Sequence, residues 1–309
     1  MLSFLITRLA GACLVVFGVV SLVFMLIHLV PGDPVEMMLG ETAPAADREA
    51  LRHSLGLDLP LYEQFTRYLH GLLHLDPGTS LHSQRPVSEI LMERLPATAI
   101  LTASALLVTL VIALPLGIIA AVRRDSYWDY TAMGFSMLGI SIPNFWLGPL
   151  LILFFSIWLG WLPVSGREGV LSVILPALTL GTGLAAIMAR MIRSSLIEVL
   201  GEDYIRTARA KGLQPGAIIL RHALRNAMLP VLTLLGLQLG ALLGGAVITE
   251  TVFSWPGIGL LTIEAIQSRD YPVIQACVLV ISISYVFINL MTDLLYAWID
   301  PRIRLGGRA

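Results

Sequence analysis

Charge is what this chain most lacks: 13% of its 309 residues are Asp, Glu, Lys or Arg, where a soluble domain carries about a quarter. Hydrophobic residues make up 56%, which leaves too little polar surface to cover a water-soluble core. The bilayer is the better solvent. Lysine is almost missing, since of 20 basic residues only Lys211 is lysine and the rest are arginine. A phosphate-binding loop needs Gly-Lys followed by Ser or Thr, and the one lysine precedes Gly212 instead. Any ATP hydrolysis that serves this protein therefore belongs to another chain. Cysteine is scarce too: Cys13 and Cys277 lie in apolar runs near the two ends, and read as small hydrophobes rather than a disulfide or a metal site. No nucleophile–base pair or metal-ligand set stands out, so a membrane enzyme is disfavoured and no cofactor is expected.

Asp, Glu, Lys and Arg are absent from six long stretches: Leu9–Val30, Ala97–Val122, Tyr130–Gly166, Gly169–Ala189, Asn226–Thr249 and Tyr271–Thr292. A helix needs roughly 20 apolar residues to cross about 30 Å of hydrocarbon, so about six transmembrane helices are expected. The third stretch, 37 residues, would be about 55 Å long as one helix. Pro143-Asn144 interrupts it, which predicts a kinked or broken helix whose freed backbone groups face a cavity. The first stretch is longer than a signal peptide's apolar region, and no small-x-small site precedes Pro31. It is read as an uncleaved anchor. An ion-coupled secondary transporter, the main rival class, usually carries ionisable residues at membrane depth. The cores of these stretches have none.

Arginine sets the orientation. With the N-terminus inside, the inner segments hold Arg8, Arg123, Arg124, the Arg190–Arg225 stretch and Arg302, Arg304 and Arg308. The two short outer loops hold only Arg167 and Arg269. Six spans put both termini in the cytoplasm. The long outer segment 31–96 predicts a helix after Pro60, with Leu61, Phe65, Leu69, Leu72 and Leu73 on one face. A second short helix after Pro86 would align Val87, Ile90, Leu91 and Leu95. His70 and His74, four apart, with His82 nearby, can place two imidazoles on one face, but without a further ligand at proper spacing no metal site is assigned.

The inner segment is the most informative. Glu202-Asp203 suits a helix start and Gly212 its end, Gln214-Pro215-Gly216 makes a turn, and a second basic helix follows. Such a helix–turn–helix can present a small protruding helix to another protein, or sit as a basic loop on anionic lipid.

The run Tyr204-Ile205-Arg206-Thr207-Ala208-Arg209-Ala210-Lys211-Gly212-Leu213, with Arg221-His222-Ala223-Leu224-Arg225-Asn226-Ala227 and Pro230, resembles the cytoplasmic coupling loop of binding-protein-dependent ABC importer permeases. The likeness is to the peptide/nickel branch. It extends through His28-Leu29-Val30-Pro31-Gly32-Asp33-Pro34, Gly56-Leu57-Asp58, Phe253-Ser254-Trp255-Pro256-Gly257, Arg269-Asp270-Tyr271-Pro272 and Asp300-Pro301-Arg302-Ile303-Arg304. The chain departs from the general motif in two places. Only Ala208 matches the Glu-Ala-Ala before the motif glycine, and only Leu224 matches the later Ile-x-Leu-Pro.

The resemblance implies an all-α type I importer permease in the bacterial inner membrane, with no nucleotide site of its own. Its implied partners are a homologous second permease, cytoplasmic ATP-binding subunits, an extracytoplasmic binding protein and the lipid bilayer, with no nucleic acid. Three divisions are expected: 1–96, the first span and the outer helical segment; 97–298, the transmembrane core with coupling loop 195–229; and 299–309, a cytoplasmic tail. Tyr204, Ala208, Arg209, Lys211 and Gly212 are the expected ATPase-coupling residues. In the fifth stretch Gly236, Gly240 and Gly244 share one helix face, a packing seam with the second permease or within this subunit. Di- or oligopeptides are the first substrate choice, with nickel or a metal–chelator complex the runner-up.

Overall fold

The computed structural model of the chain describes residues 2–29, 35, 39, 44–54 and 56–299. The motifs at Pro31–Pro34 and Asp300–Arg304, and residues 300–309 of the expected tail, lie outside the described residues. Long apolar runs become long helices because each backbone N–H and C=O must find its partner inside the same segment when no water is at hand. Helices α1 (Leu2–Leu29), α2 (Ala45–Ser54), α3 (Leu61–Leu73) and α4 (Val87–Val122) are followed by α5 (Tyr127–Ser141) and α6 (Asn144–Leu151). Next come α7 (Ile174–Leu200), α8 (Asp203–Ala210), α9 (Leu224–Val252), α10 (Ile258–Gln267) and α11 (Tyr271–Ile299). Among the described residues five helices are long and apolar enough to cross a membrane, and six spans result if the bent pair counts as one.

That bent pair is α5 with α6 and the π-helical turn Ile152–Trp158 that continues it, and the two halves meet at 102°. Ile142 and Pro143 are extended at the break, with ψ of 113° and 142°. Proline cannot donate the helical hydrogen bond and pushes the residue before it out of the helical region. The expected break at Pro143 is therefore present.

Two expected short helices are instead the ends of long ones. Val87, Ile90, Leu91 and Leu95 belong to the first turns of α4, a single 36-residue helix. The basic helix after Gln214 begins at Pro215, passes through a π-helical stretch Ile218–Ala223, and runs into α9. In both places the helical pattern continues across the point where composition changes from polar to apolar.

Contacts divide the chain into two compact units, Met1–Ala97 with Gly257–Val286, and Thr98–Pro256 with Phe287–Ala309. In the first unit, Val87 and Leu91 pack with Ile258, Leu261, Ala265, Val273, Ala276 and Cys277. The Phe24 ring lies 5.1 Å from Phe65 and stacks on Tyr68 at 5.9 Å. In the second unit, α7 is the central helix and α5, α6 and α9 all pack on it. Glycine makes the closest approach possible: a methyl at Gly181 would lie 2.7 Å from the Ala105 carbonyl. The backbone oxygen of Gly181 accepts a 3.1 Å bond from Thr109 Oγ1. This is small-residue packing of the kind that holds membrane helices together where burial against lipid gains little.

Candidate functional site

Between α7 and α9 the chain makes a helix, a sharp stop and a new start. α8 covers eight residues, Asp203–Ala210, with Asp203 in its first turn, where the helix dipole favours negative charge. Gly212 ends it with φ at +76°, a backbone conformation that costs an L side chain about 1–2 kcal/mol. The Leu213 amide donates to the Ala208 carbonyl at 3.3 Å and the Gly212 amide to the Arg209 carbonyl at 3.0 Å. This pair of bonds is the Schellman arrangement, which satisfies carbonyls the helix end leaves open.

One side of α8 is buried and the other is free. Ile205 and Ala208 turn inward onto Leu196, Ala121, Ile218, Ala223 and Ala227. Arg206, Thr207 and every residue from Arg209 to Ala217 are exposed. Among the large apolar side chains, Tyr204 is 39% exposed, Leu213 40% and Leu220 64%. Asn226 Nδ2 donates to the Tyr204 hydroxyl at 2.7 Å and fastens α8 to the base of α9. Of the residues expected to couple to an ATPase, Tyr204, Arg209, Lys211 and Gly212 are exposed, while Ala208 seats the helix from below.

A bidentate ion pair joins α5 to α7. Arg193 of α7 donates to both carboxylate oxygens of Asp129 in α5, at 2.6 and 2.7 Å. The Asp129 side chain is 2% exposed. The Asp125 amide donates to it as well, at 3.0 Å, so its lone pairs are well used. The two parallel bonds of this fork give planar, directional contact. Sequence reading missed this pair, because 64 residues separate its members and neither has a motif around it.

At the other end of the second unit, Thr98 Oγ1 donates to the buried Glu250 carboxylate at 2.7 Å. Trp255 and Phe253 of the Phe-Ser-Trp-Pro-Gly stretch are both 1% exposed, and the Gly166 amide donates to the Phe253 carbonyl at 2.9 Å. In the first unit, Asp270 accepts from Ser80 Oγ, from the Leu81 amide at 3.1 Å and from the His82 amide at 3.3 Å. The Arg-Asp-Tyr-Pro stretch therefore clamps the Ser80–Ser83 loop. His70 and His74 stack with ring centres 4.3 Å apart, and a ring nitrogen of His74 is 2.8 Å from the His70 carbonyl. Among the described residues no three His, Cys, Asp or Glu side chains are grouped to hold a metal ion.

The glycine face of α9 is not uniform. A side chain at Gly236 would overlap Thr292 of α11, so that position is a close approach within the chain. Gly240 is buried. Gly244 is exposed, and a methyl there would meet nothing within 4 Å.

An all-helical membrane fold with a broken third span and an exposed, glycine-stopped helix between two spans defines a permease subunit of an ABC importer. The sequence comparisons agree: residues 113–305 match the model for binding-protein-dependent transport system inner membrane components, and residues 1–102 match the N-terminal membrane-component model. The chain belongs to this family, in its peptide/nickel branch. It is 47% identical over 304 residues, 98% of this chain and 99% of the relative, to the glutathione transport system permease protein GsiC of Escherichia coli K12. Its identity to the protein of that name from Pectobacterium atrosepticum is 46% over the same span. The fold is similar to that of a chain in the inward-facing MetNI methionine ABC transporter, with a TM-score of 0.60, 21% identity, and coverage of 68% of this chain and 96% of that one.

Proposed function

We propose that this chain forms half of a translocation pathway for short peptides, paired with a homologous permease and powered by ATPases docked on the α8 surface. A glutathione-like tripeptide is the first candidate substrate, since relatives 46–47% identical over nearly the whole chain carry a glutathione-transport name. Nickel or a metal chelate, carried by the same mechanism, is the second reading. An extracytoplasmic binding protein delivers the substrate on the side of the 31–96 segment. The arginine distribution supports that sidedness, with both termini in the cytoplasm. Hydrolysis takes place on the partner chains, and this chain passes their movement to the spans.

The observation that carries the proposal is the exposure of Tyr204, Arg209, Lys211, Gly212 and Leu213 on and just after α8. Arg209 and Lys211 offer charge, Tyr204 and Leu213 offer apolar contact, and the bare Gly212 lets a partner approach closely. In the assembled transporter, Gly212→Trp is expected to abolish ATP hydrolysis stimulated by the loaded binding protein, while insertion and pairing with the second permease persist. Normal stimulation in that variant would remove the coupling role from α8. The proposed seam with the second permease is the Gly244 end of the glycine face, where among the described residues nothing lies within 4 Å of an added methyl.

A further inference from the structure

Within the second unit Asn144, Leu180, Gly183, Leu184, Ile187, Gln238 and Leu242 line a cavity of about 130 Å³. Five of these seven are apolar or glycine; the other two are carboxamides. Gln238 is fourteen residues from each end of α9 (238 − 224 and 252 − 238), which puts it near the middle of a span. Asn144 is the first residue after the Ile142-Pro143 break of the bent pair. Neither carboxamide has a hydrogen-bond partner among the described residues. Leaving an amide unpaired in an apolar medium costs roughly 2–7 kcal/mol, and broken backbone at membrane depth is tolerated where it lines protein or a water-filled cavity. Facing lipid would carry that cost at both positions.

We infer that Asn144 and Gln238 form a subsite on the translocation pathway that reads the peptide backbone of the substrate. This rests on the peptide reading above. Each carboxamide offers one C=O acceptor and an NH₂ donor, the complement of a peptide N–H and C=O. No charge is required, which suits a passing substrate that must be bound weakly enough to leave. The pocket is open on one side, and its volume of about 130 Å³ suits one peptide unit of a longer substrate. Gly183 also lines the pocket, and a methyl there would sit in ordinary contact, 3.7 Å from Asn144 Oδ1 and 3.5 Å from the Gly139 carbonyl. Recognition of a backbone unit leaves side-chain identity to the binding protein.

The test uses the complete transporter in proteoliposomes. Uptake of a labelled tripeptide is compared with uptake of its depsipeptide analogue, in which an ester oxygen replaces one peptide N–H. The binding protein's own preference is common to all variants, so the change in the amide-to-ester ratio isolates the subsite. Asn144→Leu and Gln238→Leu are each expected to lower kcat/KM for the tripeptide about tenfold and to bring the ratio closer to one. ATP hydrolysis stimulated by the loaded binding protein should persist. Wild-type uptake and an unchanged ratio in both variants would overturn the subsite and leave the permease reading standing. Failure of the unsubstituted transporter to carry any peptide would overturn the substrate reading together with the subsite.

A second measurement does not depend on the leucine variants assembling. Gln238→Cys, in a chain lacking Cys13 and Cys277, should react with a charged thiol reagent during turnover and be protected by tripeptide. No reaction, reaction without protection, or a disulfide to the second permease would each refute the assignment.

Discussion

Gly212 combines two demands that one side chain cannot meet. Its positive φ closes α8, and under the proposed coupling role its bare Cα also leaves room for an ATPase. Gly212→Ala adds little bulk but strains the backbone by about 1–2 kcal/mol, so stimulated ATP hydrolysis should fall partway, where Gly212→Trp abolishes it. Equal loss in both would assign the glycine to backbone shape alone. Ala208 teaches the complementary point. The family pattern marks its position, and the structure places it underneath the helix, where a larger residue would lift α8 off Ile218 and Leu196. Tyr68 makes a separate prediction. Burial without a hydrogen-bond partner pushes its phenol up to about 12 from the usual 10.0. The folded state holds its proton more tightly than the unfolded one. That contribution is complete below pH 10 and is lost as pH rises toward 12. Tyr68→Phe should raise stability slightly, by up to about 1 kcal/mol, and remove the high-pH loss, as followed by thermal unfolding in detergent.

Among the elements, α5 and α7 are joined by more than apolar packing. Removing one member of a buried ion pair leaves an uncompensated charge and costs about 3–5 kcal/mol, whereas replacing both with apolar groups is often close to neutral. Arg193→Leu is therefore expected to lower the stability of the detergent-solubilised chain by about 3 kcal/mol. Asp129→Leu combined with Arg193→Leu should return to within about 1 kcal/mol of the unsubstituted protein. A double variant no better than the single one would mean that the lost stability does not come from an uncompensated Asp129 charge. The α9 glycines divide in the same manner. Gly244→Leu should separate this chain from its permease partner, read by co-purification, while Gly236→Leu should disturb the α9–α11 packing of the chain itself. Intact pairing in Gly244→Leu would move the seam elsewhere.

These elements also mark how far the sequence could be read. The long uncharged runs and the Pro143 break were legible because desolvation and proline sterics act locally. The stop at Gly212 was legible for the same reason. The Asp129–Arg193 fork was not, since nothing near either residue announces a partner 64 positions away. Nor were Asn144 and Gln238, two ordinary amides until folding brings them to one cavity. The short helices expected near Pro86 and Pro215 were misjudged for a further reason. Composition marks where a helix leaves the membrane, and a helix need not end there.

For the whole molecule, the decisive contrast is the source of energy. The long apolar stretches hold no Asp, Glu, Lys or Arg, the residues through which an ion gradient usually drives transport, and the sequence holds no Gly-Lys followed by Ser or Thr. An exposed helix stopped by Gly212 lies between two of its spans, and the proposed function makes it the surface for an ATPase. Reconstitution of this chain with its second permease, the ATPases and the loaded binding protein tests that account most directly. The account predicts tripeptide accumulation that requires both ATP and the binding protein, that is lost with Gly212→Trp, and that survives collapse of proton and sodium gradients. Tripeptide uptake by this chain alone, driven by either gradient without the ATPases, would contradict it.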